Sequence, residues 1–376
     1  MLSLYCDINP ARPENAGKAW LKRVKNTISE MPELHRPRKH GPTMAQALYE
    51  LLAEERPDAR TLALFAAEDA HGDLLLERFD LQVELPVVDL AHGRVEARFG
   101  RPYIAPFVYA FDEYERVGVL HLRRGAWRFW EIFLDEVEEA TRTFAELTPQ
   151  DWEELQQTIK GLESIPFRVK STTLKDKVQA RVQVWAHKFY GRLARLLEKA
   201  VIARDMNRLV LLGEDWQMRL FAGYLNRNLR GRIVGMVEQP STAADPNPKE
   251  LLARVRPVLD AAERAEEMAL LDSIREQPGV WGLAAVLDAL QIGRAEVVVL
   301  PWQVDQTVWR ADESGLFFAD ATAGAEAEAG PGRDVPLRDH IFDLAASYGT
   351  RLEFVRGESE DRLKREFAGV AARLRW

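Results

Sequence analysis

Cysteine is nearly absent from this sequence, with one among 376 residues. A single thiol excludes an internal disulfide and any zinc site that needs several thiolates. The seven histidines are scattered, and no His-x-x-x-His pair could hold a metal from one helical face. The sequence therefore predicts no metal site, and we expect no cofactor.

Long apolar runs and phosphate-binding glycine motifs are also missing. No apolar run approaches the ~20 residues that a membrane-spanning helix needs. The sequence contains neither a Walker loop nor a dinucleotide fingerprint. Residues 1–7 lack the basic region and cleavage site of a signal peptide and are typical of a first β-strand. We therefore expect a cytoplasmic protein with no membrane partner.

The length of the chain and its alternating strand and helix patterns predict three α/β domains. Residues 1–105 form the first, 106–240 the second and 241–376 the third. The first boundary is placed at Pro102–Pro106. The second is placed at the Pro- and Ala-rich linker of residues 241–248.

Apolar periodicity predicts the elements of each domain. In the first domain, strands are expected at 2–8, 61–66, 74–81 and 94–99. In the second, a hairpin (117–122 and 126–134) is followed by helices at 149–162 and 171–205 and strands at 208–213 and 232–237. In the third, a helix begins at 249, strands lie at 295–300 and 351–355, a helix lies at 339–348, and residues 321–333 form a mobile loop.

The helix predicted at 171–205 belongs to a basic segment. Residues 168–232 contain fifteen Lys or Arg and five Asp or Glu, whereas the whole chain has a net charge of −8. A basic segment within an acidic chain is typical of a surface that docks a polyanion, of which nucleic acid is one. The alternative is a solvated helix with internal ion pairs, and the sequence leaves it open.

Helical spacing separates the apolar and basic residues of this helix. One face contains Phe189, Leu193, Leu196 and Ala200, which predicts a side that packs on a core. A second face is basic, and lysines near the start of the helix add charge where backbone amides favour anions. The predicted RNA-binding residues are Lys170, Lys175, Lys177, Arg181, Lys188, Arg192, Arg195 and Lys199.

Four stretches, in order, resemble the archaeo-eukaryotic class-one peptide-chain release factors and Pelota, and more closely their bacterial relatives. The hairpin 117–134 and the strand–helix–strand of 209–235 are similar to the ribonuclease-H-like middle domain of that superfamily. Residues 283–299 and 367–376 are similar to its ribosomal-L7Ae-like C-terminal domain. The resemblance covers residues 106–376 and implies a ribosome-associated factor that contacts rRNA; it leaves a contact with tRNA open. It implies no DNA partner.

The sequence departs from that superfamily at the Gly-Gly-Gln motif that places a glutamine at the peptidyl-tRNA ester. Residues 168–173 read RVKSTT instead. The resemblance thus implies binding at the ribosomal A site, for rescue or hibernation, without conventional peptide release. A peptidyl-tRNA or RNA hydrolase that uses residues 168–187 is one alternative. A non-catalytic scaffold is the other.

No catalytic residue is predicted. Ser171 and His187 share one segment, but a nucleophilic site also needs an orienting group, and a helix cap with an exposed histidine explains both. The acids near predicted strand ends fit an acidic surface more simply than a two-metal site. These acids are Asp112, Glu113, Asp135 and Glu214.

Overall fold

The computed structural model describes residues 1–53, 59–85, 95–123, 126–147, 149–163, 172–240 and 243–376. Within these ranges the chain forms sixteen strands in four sheets, together with thirteen α-helices. The predicted α/β fold class is confirmed. In the same part of the chain, no helix is long and apolar enough to span a bilayer.

The chain divides into two compact units. One contains residues 114–263, and the other combines residues 1–113 with residues 264–376. The division into three domains at 105 and 240 stays a prediction. The ribonuclease-H-like and L7Ae-like assignments of the middle and C-terminal parts also stay predictions.

The N-terminal residues form an antiparallel sheet in the order β3-β2-β1-β4. All four strands lie where they were predicted. Two helices cover one face, where Trp20, Val24 and Leu48 pack on Leu4 and Leu64. The elements are β1 (Leu2–Asp7), α1 (Ala19–Ser29), α2 (Met44–Ala53), β2 (Thr61–Glu68), β3 (Leu74–Leu81), β4 (Val95–Phe99) and α3 (Ala105–Glu113).

Residues 114–263 contain a five-stranded sheet. The predicted hairpin, helices and strands are all confirmed. They are β5 (Val117–Arg123), β6 (Ala126–Phe133), β7 (Glu136–Glu139), α4 (Thr143–Leu147), α5 (Pro149–Glu163), α6 (Thr172–Ala203), β8 (Arg208–Gly213), α7 (Asp215–Ala222), α8 (Arg227–Gly231), β9 (Ile233–Glu238) and the start of α9 (Pro248–Glu276).

This sheet has the order β7-β6-β5-β8-β9, with β5, β8 and β9 parallel and β6 and β7 antiparallel to their neighbours. Alternate residues of β5 point to opposite faces. Leu120 packs in a core with α6, and Val119 packs with Leu251 and Val255 of α9. Helices therefore cover both faces of the sheet.

The C-terminal residues form a mixed sheet in the order β10-β16-β11-β15 and a small sheet in the order β13-β12-β14. The two stretches that carried the C-terminal resemblance contribute neighbouring antiparallel strands, β11 and β16. The elements are β10 (Gly279–Trp281), α10 (Leu283–Gln291), β11 (Ala295–Pro301), β12 (Thr307–Ala311), β13 (Phe317–Phe318), α11 (Ala321–Glu326), β14 (Gly332–Pro336), α12 (Ile341–Tyr348), β15 (Arg351–Val355), α13 (Glu358–Glu366) and β16 (Ala371–Leu374).

The prediction of a mobile loop at 321–333 was wrong. Asp320 caps α11 by accepting a hydrogen bond from the Ala323 amide at 2.9 Å. Gly324 and Gly332 lie against the Trp309 ring, and a Cβ atom on either would stand 2.4 Å from it. Because they lack a Cβ atom, these two glycines let the backbone approach the tryptophan closely.

Candidate nucleic-acid interface

Helix α6 carries most of the predicted RNA-binding residues. It begins at Thr172 and ends at Ala203, which confirms the predicted helix. Lys170 lies outside the described residues. Lys175, Lys177 and Arg181 lie on the helix, but the structure describes side chains only from Val184 onward, with Trp185 excepted. The geometry below therefore concerns Lys188, Arg192, Arg195 and Lys199.

The buried side of α6 is the one that its periodicity predicted. Phe189, Leu193, Leu196 and Ala200 are at most 3% exposed and pack against the β5–β6 hairpin and α5. The hairpin residues Trp127, Phe129 and Trp130 carry aromatic rings, which in other proteins stack on bases. All three are buried in the two cores of the sheet, so they serve packing instead.

Arg192 and Lys199 face α5 and bond to it. The Arg192 guanidinium donates to the Glu154 carbonyl at 2.8 Å and to the Thr158 hydroxyl, and it lies 3.0 Å from the Glu154 carboxylate. About two turns further on, Lys199 Nζ donates to Asp151 at 2.6 Å. These bonds tie α5 to α6, and we call them the α5–α6 clamp.

The charge of the basic face reaches the acids of α5. The hydrogen bond from Lys199 is the largest cause that lowers the pKa of Asp151 below its ordinary value, and the charges of Lys199, Arg195 and Arg192 add to it. Asp151 therefore stays ionised to a lower pH than an ordinary aspartate, and part of the positive charge on α6 is neutralised within the molecule.

Lys188 and Arg195 lie on the solvent side of α6, seven residues apart and so on one line along the helix. Both side chains are exposed. Val184 and Ile202 extend the same side and are 56% and 68% exposed. Among the described residues, Arg195 has no hydrogen bond or ion pair, so its guanidinium is available to a ligand.

The flank of α6 opposite α5 is also bonded internally. Glu198 accepts a hydrogen bond from Asn226 at 2.6 Å, and His187 Nδ1 lies 3.1 Å from the Tyr224 hydroxyl. The predicted basic face therefore divides into a solvent line, Lys188 and Arg195, and a clamped edge, Arg192 and Lys199. Sequence reasoning missed the clamp, although the spacing of Asp151 and Glu154 on one face of α5 is a signal for it.

The rest of the basic segment is largely paired. Buried Arg208 pairs with buried Glu263. Arg230 donates to the carbonyls of Ala222 and Leu225 at the end of α7, and Arg232 donates to the carbonyl of Met206. The excess of positive charge in residues 168–232 thus overstates the charge available to a partner.

Each of the four acids considered for a metal site has a partner of its own. Asp112 accepts the Phe354 amide at 2.8 Å, and Glu113 accepts two bonds from Arg264 at 2.9 Å. Asp135 pairs with Arg256. Glu214 accepts the Trp216 indole at 2.6 Å. These contacts account for the acids as structural groups.

Residues 102–267 match the family model described as bacterial archaeo-eukaryotic release factor family 10. This segment contains the sheet β5–β9 and helices α4 to α8. This part of the chain is therefore similar to the bacterial branch of the archaeo-eukaryotic release-factor superfamily. The resemblance found in the hairpin and in the strand–helix–strand is therefore confirmed.

Solved structures similar to this chain were also found. An archaeal translation termination factor, aRF1, is 16% identical over 100% of this chain and 92% of its own, with a TM-score of 0.25. Dom34 of S. cerevisiae, described as a translation termination-like factor, is 12% identical over 84% and 80%, with a TM-score of 0.41. A ribosome-bound archaeal Pelota is 12% identical over 84% and 78%, with a TM-score of 0.42. No curated protein matches the chain.

The Gly-Gly-Gln position of the superfamily falls outside what the structure describes. Residues 164–171 are not described, and of residues 168–187 only the side chains of Val184, Ala186 and His187 are. The hydrolase alternative, which depends on this segment, stays a prediction.

Proposed function

We propose that this protein is a cytoplasmic, ribosome-associated translation factor that binds the A site for rescue or hibernation. In this proposal it releases no peptide by the Gly-Gly-Gln route. The solvent line of α6, Lys188 and Arg195, contacts phosphates of rRNA, and Lys170, Lys175, Lys177 and Arg181 continue the contact toward the start of the helix.

The exposed position of Arg195 carries this proposal. An arginine that lacks an internal carboxylate keeps its five donors for a phosphate, which its planar guanidinium binds with two parallel hydrogen bonds. The match of residues 102–267 to a release-factor family supports the ribosome as the source of that phosphate. Lys188, on the same line, adds a second exposed positive charge.

The test is co-sedimentation of the full chain with ribosomes at low and at moderate salt. We expect binding that weakens with salt, because contacts to phosphates release bound counterions. The double variant Lys188→Glu with Arg195→Glu should lower the affinity by at least about tenfold at low salt and flatten the salt dependence.

The control changes the same amount of charge elsewhere. Arg219 and Arg351 are 73% and 62% exposed, and Arg219→Glu with Arg351→Glu should leave sedimentation near the wild-type level. Arg192 is unsuitable for this test because reversing its charge breaks the α5–α6 clamp. Equal pelleting of both double variants with the wild type would remove α6 from the proposal.

A scaffold without RNA contacts is the competing function, and one observation favours it. Most basic side chains of the segment that the structure describes are bonded internally, among them Arg192, Lys199, Arg208 and Arg232. This function predicts no salt-dependent binding to ribosomes at any protein concentration. The same sedimentation experiment therefore separates the two functions.

A further inference from the structure

A second basic site lies at the end of the β5–β6 hairpin, on the face of the sheet that α9 covers. His121 and Arg128 are cross-strand partners, and Arg123 follows two residues after His121 on β5. Residues two apart on a strand, and residues directly opposite across a ladder, share one face. The three side chains therefore project together beside the segment of residues 243–247.

Asp245 occupies the centre of this site. Its carboxylate accepts a hydrogen bond from Arg123 Nη1 at 2.6 Å and lies 3.1 Å from Arg128 Nη2. The same carboxylate is 3.8 Å from His121 Nδ1. We call these four residues the Asp245 pocket.

Further bonds hold the segment that carries Asp245. Arg123 Nη2 also donates to the Ala243 carbonyl at 3.2 Å, and Gln239 donates to the Ala244 carbonyl at 3.0 Å. Arg254 of α9 donates to Gln239 at 2.9 Å. A short segment with Asp245 near its centre is thus held at the sheet mainly by side chains that would also suit an external anion.

The positive charges of the pocket outnumber its carboxylates. Arg123 and Arg128 contact Asp245, and Arg254 adds a third positive charge that acts on His121. Glu139 is 3.6 Å from Arg128. Asp245 also lies three residues before Pro248, the first residue of the 29-residue helix α9, whose positive dipole end adds to the field.

One ring nitrogen of His121 makes no hydrogen bond to the residues around it that the structure describes. The residue is 1% exposed, and its Nδ1 atom has no hydrogen-bond partner among the described residues. Burial lowers the pKa of His121 to about 4; the nearby Asp245 opposes this shift, and the three arginines reinforce it. A buried polar atom without a partner is uncommon and points to a ligand at this position.

We infer that the Asp245 pocket is a phosphate-binding site in which the Asp245 carboxylate holds the place of the ligand. A phosphate group offers more acceptor oxygens than a carboxylate, enough for both arginines and for the Nδ1–H tautomer of His121. The site is open at its rim, where Arg128 is 42% exposed and Asp245 is 25% exposed. Binding requires residues 243–247 to withdraw, so the segment acts as an internal competitor.

The experiment measures phosphate binding by isothermal titration calorimetry on the full chain, without ribosomes. Asp245→Asn keeps the shape of the side chain and removes its charge. We expect it to bind inorganic phosphate at least about tenfold more tightly than the wild type, a gain of about 1.4 kcal/mol. Adding Arg128→Gln to this variant should abolish the gain.

The control is Asp260→Asn, which removes an exposed carboxylate of the same unit that pairs with Arg256. It should bind phosphate as the wild type does. Two further ligands then distinguish the kinds of phosphate that the site could bind. Adenosine monophosphate represents a phosphate monoester, and a single-stranded RNA without terminal phosphates represents the RNA backbone. Tightening by Asp245→Asn for either one supports the site and identifies its source.

Equal affinities of the wild type, Asp245→Asn and Asp260→Asn for all three ligands would overturn the inference. If the Asp245→Asn variant does not unfold cooperatively, it is not folded well enough for calorimetry. Phosphorus NMR that compares the wild type with Arg128→Gln then takes the place of the calorimetry. Line broadening of inorganic phosphate must then fall in Arg128→Gln, and equal broadening would overturn the site. Neither result depends on α6, so the proposed ribosome binding stands or falls separately.

Discussion

His121 shows at the scale of one residue how a polar side chain is held in its neutral form. Its ring is buried at the end of β5 beside three arginines, and burial is the main cause that lowers its pKa to about 4. An unfolded chain binds a proton there near pH 6.5. Above pH 6.5 the neutral His121 costs the folded state nothing relative to the unfolded chain. As the pH falls from 6.5 toward 4, the unfolded chain takes up a proton that the folded state does not, and the free energy of unfolding decreases.

The pH dependence of unfolding tests this. Between pH 7 and pH 5, protonation of His121 in the unfolded chain should lower the free energy of unfolding by about 2 kcal/mol. The His121→Gln variant should lack this part of the loss, whereas His71→Gln, which changes an exposed histidine, should retain it. Urea unfolding at the two pH values measures the difference. Parallel losses in His121→Gln and the wild type would contradict the neutral, buried state.

At the scale of the element, α6 combines three roles on one helix. One side packs in the core, a second is clamped to α5, and the third faces solvent. Arg192 and Arg195 are only three residues apart, but they belong to different sides. The first makes three contacts with Glu154 and Thr158, and the second is exposed.

Truncating these two arginines should therefore have different effects on stability. Arg192→Ala removes a charged group from hydrogen bonds that join two helices, and should lower the free energy of unfolding by about 1–2 kcal/mol. Arg195→Ala, its matched control, should change it by less than about 0.5 kcal/mol. Urea denaturation followed by circular dichroism measures both. Equal effects would show that the clamp contributes nothing to the packing of α5 on α6.

At the scale of the whole molecule, residues 1–113 and 264–376 share one compact unit although 150 residues separate them in the chain. Tyr109 of α3 is 2% exposed, and its ring centroid lies 4.0 Å from that of Phe354 and 5.5 Å from that of Phe342. Glu113, at the end of α3, pairs with Arg264 and Arg356. Helix α3 thus has buried partners in the C-terminal part of the chain as well as in the N-terminal sheet, where Phe107 stacks on Phe65.

A fragment that ends at residue 113 should for this reason be unstable. Without the C-terminal residues, the ring of Tyr109 and the carboxylate of Glu113 lose their partners, and such losses cost about 3–5 kcal/mol each in buried sites. We expect fragment 1–113 to melt at a lower temperature than the full chain, and co-expression with fragment 264–376 to restore part of the difference. A fragment 1–113 that melts cooperatively at the full-chain temperature would contradict the shared core.

The sequence alone determined where most helices and strands of this protein lie and which of their sides are buried. The hairpin, the long helix α6 and the parallel strands that follow it lie where apolar periodicity predicted them, because each residue's side of a strand or helix depends only on its spacing along the chain. The buried side of α6 was predicted correctly for the same reason. The resemblance to the release-factor superfamily was also found in apolar strands and helices, because their order and spacing along the chain reflect the order of the elements that form the core.

Only the tertiary structure decided the partners of the charged residues. Arg192, Arg195 and Lys199 belong to one basic face on a helical wheel. In the structure Arg192 and Lys199 bond to α5, whereas Arg195 is exposed to solvent. Asp245 looks like a linker residue, and it lies between arginines of a hairpin that precedes it by more than a hundred residues. A charge acts on whatever the fold brings within a few ångströms of it, and neither spacing nor composition contains that distance.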